Sequence, residues 1–257
     1  MCYDCCDNVS FNKIAVPKMK LAAIIPHYRH IKTLPQVIVA LQKENIPVFV
    51  VDDGSGEEYQ DALSEIEKQY AIHLFRLPEN RGKGFAVKYG MEEMQKQGFS
   101  HSLQIDADAQ HDFNAIRKLK DACQNNPNAL ICANPIYGKD APKSRLYGRK
   151  ITNFWNVLHT FSFSIKDGLC GFRIYPIADF LTTCQKETVG NGMDFDNEIL
   201  IRMYRKKIPI IWIDTPVQYQ DNGISHFKMW QDNIKISKMH ARLFLSHFFS
   251  FFRQHKQ

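Results

Sequence analysis

The sequence predicts an α/β fold built on a doubly wound, mostly parallel sheet flanked by helices. Short, continuously apolar runs alternate with segments of helical periodicity through the first half of the chain, the pattern of successive right-handed βαβ units. The runs are rich in Ile, Val and Ala and show no in–out alternation, as expected of strands buried on both faces. Polar clusters directly follow three of them, and open α/β sheets bind ligands at the carboxyl ends of their strands.

The first strand is expected over 20–26 (KLAAIIP) and the first helix over 34–44. A second strand, 48–51 (VFVV), stops at Asp52-Asp53-Gly54-Ser55, and a helix follows over 59–70. A third strand at 73–77 leads through the turn 80–84 into a helix over 85–97. The fourth strand, 102–105, ends at Asp106-Ala107-Asp108, before a helix at 114–125 and a strand at 129–133. The second half is less regular. It reads as an aromatic-rich helix over 149–163, a helix over 194–206, an apolar strand over 208–213 and one long helix over 230–253. No repeat, low-complexity stretch or linker divides the chain. The expected organisation is a disordered extension over 1–18, a single domain over 19–230 and an amphipathic helix over 231–257.

A chain of 257 residues with 44% hydrophobic content can bury one sizeable core. Lys plus Arg exceed Asp plus Glu by 33 to 27, and the net charge of +6 favours anionic partners. No basic stripe or motif for nucleic acid is present, so no nucleic-acid partner is expected. No apolar run reaches the ~18 residues of a membrane span, and the polar N-terminus lacks the apolar segment of a signal peptide. A cytoplasmic protein with reduced cysteines is therefore expected. Cys2, Cys5 and Cys6 include one CxxC, with no second pair at metal-site spacing, and Met19 could open the translated chain.

The strongest chemical signal is Asp106-Ala107-Asp108. If the chain stays extended, carboxylates at i and i+2 past a buried strand project to one side. A divalent cation would relieve their repulsion, and Mg²⁺ or Mn²⁺ suits one or two carboxylates completed by phosphate oxygens and water. The competing reading is a solvated turn. Asp52 and Asp53 stand at the end of the second strand, where a carboxylate can accept hydrogen bonds from a base or ribose or can simply cap a turn. Asn80-Arg81-Gly82-Lys83-Gly84 lacks phosphate-loop spacing, although its glycines permit close approach and Arg81 and Lys83 are positive.

IIPHYRH, VVDDGS, ENRGKGFAVKYGM and LQIDADAQHD, in this order and spacing, resemble glycosyltransferase family 2, and GFRIYP, MDFDNEILIRM and GISHF extend the likeness to about residue 245. The chain is most similar to the single-domain branch related to polyprenyl-phosphate sugar transferases. PKSRLYGRKITNFWNVLHT is similar to a bacterial subgroup associated with aryl-polyene lipids. The resemblance implies a GT-A fold, a nucleotide-diphosphate sugar donor, inversion at the anomeric carbon and a Mg²⁺ or Mn²⁺ cofactor. It implies that Asp53, with Asp52, binds the nucleotide base and that Pro26, Tyr28 and Arg29 line the nucleotide pocket. It makes Asp106 and Asp108 the metal ligands, puts Gln110 beside the sugar and diphosphate with Lys83 on the donor side, and places Arg145 and Arg149 where related enzymes bind a phosphate. The base position falls on Asp196, with Phe195 where the family carries Glu and with Asp194 and Glu198 as rivals. The helix-start residues could equally form caps and i,i+4 pairs. Asp167 and Gly171 resemble the acceptor-site loop.

The implied partners are a nucleotide sugar and a lipid-linked or polyprenyl-phosphate acceptor. The phenylalanine-rich tail, flanked by Lys and Arg, suits an interfacial helix on anionic lipid, or a helix packed on the core or a second subunit. The expected location is peripheral, on the cytoplasmic face of the inner membrane. Two rivals remain. A nucleotidyltransferase would need a glycine-rich basic loop after the first strand, where PHYRH stands. A non-catalytic nucleotide-sugar-binding protein would not need Asp106, Asp108 and Asp196 together.

Overall fold

A computed structural model of the chain describes residues 19–138, 143–217 and 229–254. The CxxC segment and the GISHF motif lie outside the described residues. The regular half contains β1 (Leu21–His27), α1 (Leu34–Lys43), β2 (Val48–Asp52), α2 (Gln60–Tyr70), β3 (His73–Arg76), α3 (Lys83–Lys96), β4 (His101–Gln104), α4 (Asn114–Asn125) and β5 (Leu130–Tyr137). The rest contains α5 (Lys143–Thr160), β6 (Arg173–Pro176), α6 (Ile177–Lys186), α7 (Phe195–Arg205), β7 (Ile210–Val217) and α8 (Met229–Gln254).

The strands form one sheet in the order β3-β2-β1-β4-β6-β5-β7. All pairings are parallel except those of β6, which runs antiparallel to both β4 and β5. The predicted doubly wound sheet is the one observed. Successive residues of β1 face opposite layers: Ala23 and Ile25 join the core with α1 and α4, while Ala22 and Ile24 join the core with α3 and α7. Both layers are closed, which is why the first strands carry no polar alternation.

β6 and α6 are absent from the expected element order. β6 is four residues long and wholly buried, and it contains Arg173 and ends in Pro176. Such a run has no readable periodicity, and only its pairing with β4 and β5 makes it a strand. β5 extends past the predicted 133 because its second half pairs with β7 as far as Tyr137 and Val217.

The boundary expected at 230 is not a break in packing. α8 buries Met239 and Leu243 in the core beside α7, and the Arg205 guanidinium donates to the Leu243 carbonyl at 3.0 Å and to Ser246 Oγ at 3.1 Å. Phe244 and Leu245 are exposed, while the side chains from His247 onward, with most of the tail phenylalanines, lie outside the described residues. Among the described residues no helix is long and apolar enough to cross a membrane.

Candidate functional site

The ends of β1, β2 and β4 converge with the start of α7. Asp52 ends β2 only 1% exposed. The His30 amide donates to His27 Nε2 at 3.1 Å. The proton of a neutral His27 therefore sits on Nδ1, which donates to Asp52 Oδ1 at 2.9 Å. Ser55 Oγ also donates to Asp52. Burial works to raise the Asp52 pKa, but the hydrogen bonds from His27 and Ser55 outweigh it and hold the carboxyl below its ordinary value. The Arg29 amide donates to Ser55 Oγ at 2.9 Å and its Nε to the Ser55 carbonyl at 3.1 Å, which requires a left-handed φ of 61° at Arg29. Asp52, expected together with Asp53 at the nucleotide base, is engaged by these bonds. Asp52 faces inward and ties the loop after β1 to the loop after β2. Pro26 and Tyr28 stay half-buried on the same edge, and the Arg29 guanidinium lies 5.0 Å from the Tyr28 ring centre.

Asp53 is engaged as well. Its two carboxylate oxygens accept the amides of Arg81 and Gly82, each at 2.8 Å. Burial raises its pKa beyond what these amides offset. Gly82 has φ of 98°, and a Cβ there would stand 2.3 Å from the Asn191 carbonyl oxygen, so only glycine fits the latch. Asp53 thus shapes the 80–84 loop and delivers Lys83 to the first turn of α3.

Lys83 is the hub. Its Nζ lies 2.7 Å from Asp106 Oδ1 and 2.8 Å from Asp196 Oδ2. Gln104, the last residue of β4, donates from Nε2 to Asp196 Oδ1 at 2.8 Å. Burial favours a neutral Lys83, but Asp106 and Asp196 outweigh it and raise its pKa, keeping the ammonium charged. At Gly171 a Cβ would come within 2.7 Å of both Gln104 Nε2 and Lys83 Nζ, so the loop after Asp167 approaches this cluster with bare backbone.

The chain after β4 is not extended. Ala107 and Asp108 form a turn, Ala109 adopts φ of 56°, and the Gln110 amide donates to Asp108 Oδ1 at 3.1 Å. The turn, rather than strand alternation, puts Asp106 and Asp108 within electrostatic reach of one another. Burial and the charge of Asp106 raise the Asp108 pKa, whereas Lys83 and His111 overcome burial to lower that of Asp106. Among the described residues no group of three or more His, Cys, Asp or Glu is placed to hold a metal. The available donor set is two hard carboxylates under mutual repulsion. That set fits a Mg²⁺- or Mn²⁺-type ion completed by phosphate and water and does not fit a closed protein cage.

α7 separates the three acidic candidates. Asp194 and Glu198, one turn apart, face away from Lys83. Arg242 Nη2 reaches Asp194 Oδ2 at 3.0 Å and Glu198 Oε2 at 2.5 Å, and Arg202 reaches Glu198 Oε1 at 2.7 Å. Asp196 lies on the opposite side of the helix and alone meets Lys83. The fully buried Arg173 donates to the Asp196 carbonyl at 2.6 Å and to the Gly168 carbonyl at 3.0 Å, joining the start of α7 to the Asp167–Gly171 loop. Arg149 is half-buried and ion-paired with Asp167, whose other oxygen accepts the amides of Leu169 and Cys170, each at 2.8 Å. The Arg145 side chain lies outside the described residues. His111, the last residue of the LQIDADAQH run, rests on Phe172 with ring centres 4.9 Å apart and carried no assigned role in the sequence; Gln104 and Arg173 carried none either. The usable signal was a polar residue inside a short apolar run, as in SLQI and GFRIYP.

A family model described as glycosyl transferase family 2 matches residues 22–180. Relatives include a dolichyl-phosphate beta-glucosyltransferase of Dictyostelium discoideum, 27% identical over 88% of this chain and 76% of that protein. A polyprenol monophosphomannose synthase of Mycolicibacterium smegmatis is 22% identical over 85% of this chain and 84% of that protein. Glucosyl-3-phosphoglycerate synthase from Mycobacterium tuberculosis, solved with Mn²⁺, uridine diphosphate and glucosyl-3-phosphoglycerate, matches with a TM-score of 0.65 at 14% identity, covering 89% of this chain and 80% of that one. The GT-A architecture expected from the sequence is the observed one.

Proposed function

We propose that this chain, which belongs to glycosyl transferase family 2, moves a sugar with inversion from a nucleotide-diphosphate donor to a lipid-linked acceptor. The observation that carries the reading is Lys83 spanning Asp106 at 2.7 Å and Asp196 at 2.8 Å. One ammonium thereby registers the candidate donor-side carboxylate against the candidate base.

Asp106 and Asp108 would hold Mg²⁺ or Mn²⁺, which when bound neutralises charge growing on the departing diphosphate. Lys83 adds a fixed positive charge on the same side. Asp53 holds the loop that carries Lys83, and Asp52 holds the edge bearing Pro26, Tyr28 and Arg29, the proposed nucleotide pocket. Gln110 follows the Asp108 turn, towards the sugar and diphosphate. Lys83 and Gln104 fix both Asp196 oxygens, so the carboxylate is oriented to take a proton from an acceptor hydroxyl entering beside Gly171. The pairing of Arg149 with Asp167 leaves Arg149 engaged within the loop rather than held ready for an acceptor phosphate. The names of the dolichyl-phosphate and polyprenol relatives support a lipid-linked acceptor, and that acceptor supports work at a membrane surface.

The test is a donor-hydrolysis and transfer screen across nucleotide sugars with Mg²⁺ or Mn²⁺. Turnover is expected to need the metal and to vanish in Asp108→Ala with the fold retained. Wild-type turnover in excess chelator would overturn the metal assignment.

A further inference from the structure

α5 packs Trp155 on His240 of α8, ring centres 4.8 Å apart, yet it also carries apolar side chains on its outward side. Its inward side carries Asn156 and His159, 0% and 2% exposed, and neither Asn156 side-chain polar atom has a hydrogen-bond partner. Its outward side carries Tyr147, Ile151, Phe154 and Leu158 at 70%, 55%, 65% and 37% exposure. These four stand at i, i+4, i+7 and i+11, a single stripe along the helix. Phe163, just past the helix end, is 87% exposed. A monomer in water gains nothing from such a ridge, and contiguous apolar surface of this kind marks an interaction site.

Charge identifies the occupant. From 143 to 166 the chain contains no Asp or Glu but contains Lys143, Arg145, Arg149, Lys150 and Lys166, of which Lys150 and Lys166 are exposed. A second copy of the chain docking through the same stripe would set cation against cation across a two-fold interface. An apolar, aromatic ridge flanked by cations and free of acids complements an anionic lipid surface.

The ridge also has an address. Arg149, on the same helix, is ion-paired with Asp167. Asp167 starts the loop that ends at Gly171, against Lys83 and Gln104, and Leu169 in that loop is itself 37% exposed. We propose that the Tyr147–Ile151–Phe154–Leu158 face of α5 is the lipid-docking surface of this protein, inserting into an anionic bilayer and setting the Asp167–Gly171 loop at the interface where a lipid-linked acceptor presents its reactive end. This rests on the lipid-acceptor reading above and moves the main membrane contact from the C-terminal tail to α5.

The experiment is flotation of the full chain with vesicles of phosphatidylethanolamine and phosphatidylglycerol, and with vesicles of phosphatidylcholine alone, at low and high salt. Wild type is expected to float with the anionic vesicles and to release with salt. The double variant Ile151→Ser, Phe154→Ser, altered only at exposed positions, should partition at least about tenfold more weakly while unfolding at the wild-type temperature. Equal flotation of the variant, or no flotation of wild type at low salt, overturns the proposal. A wild-type dimer that the double substitution splits, without vesicle binding, overturns it in favour of a second copy. Donor hydrolysis without lipid separates the two claims. The variant should retain it, and its absence in both proteins would sink the glycosyl-transfer reading while leaving the flotation result to stand alone.

Discussion

Replacing Asp196 by Asn keeps the side chain's shape and removes the charge. In the folded protein Asp196 accepts from Lys83 and from Gln104, each at 2.8 Å. Asparagine can still accept one of these bonds, and Lys83 keeps Asp106 at 2.7 Å. The ground-state cost is the difference between charge-assisted and neutral hydrogen bonding, about 1–2 kcal/mol. For a domain of this size that lowers Tm by about 2–8 °C. Loss of a positioned base costs about 10²–10⁴-fold in rate, or about 3–5.5 kcal/mol of transition-state stabilisation. The second quantity exceeds the first, so the two can be told apart. Initial transfer rates give kcat, calorimetry gives nucleotide-diphosphate affinity and thermal unfolding gives Tm. The expected result is a fall in kcat of about two orders of magnitude or more with donor affinity unchanged. Near-normal transfer by Asp196→Asn would refute the base and point to an acceptor that arrives already ionised, as a phosphate does. A loss that follows donor affinity instead of kcat would refute it equally.

Asp53→Ala takes the acceptor from the part-buried amide bonds of Arg81 and Gly82 and should cost about 1–3 kcal/mol of stability in urea unfolding together with nucleotide-diphosphate affinity; lost affinity at unchanged stability would show that Asp53 meets the nucleotide directly. Arg242→Ala removes one of two cations from the fully buried Glu198. Because Arg202 remains, destabilisation of about 1–3 kcal/mol is expected by the same measurement, and no change would mean that the Arg242 ion pairs contribute nothing to the docking of α8. The folded-state pKa of Asp52 lies below its ordinary value, so its contribution to stability is present above that value and is lost as pH falls through the folded one. Asp52→Asn should therefore flatten the fall of Tm with acidity below about pH 5, and parallel wild-type and variant curves would contradict that assignment.

Local pattern carried the regular half of the fold. The apolar runs around Ile24, Val50 and Leu103 read as buried strands because each is closed on both faces, and their polar ends at Asp53 and Asp106 announced one shared edge. β6 escaped because four residues carry no period, and α6 went with it. What each carboxylate does was a matter of distance alone. Asp52 and Asp53 are neighbours in sequence, yet one locks onto His27 and Ser55 while the other latches the amides of Arg81 and Gly82. Asp194, Asp196 and Glu198 are three acids within five residues, and only the rotation of α7 against α3 and α8 gives two of them to Arg242 and the third to Lys83. Composition and periodicity specify which residues must be buried and where strands must end. They hold no information about which charge from a distant segment will face which carboxylate, because that depends on the register of β4 against β6 and the seating of α7, quantities that exist only once the chain is packed.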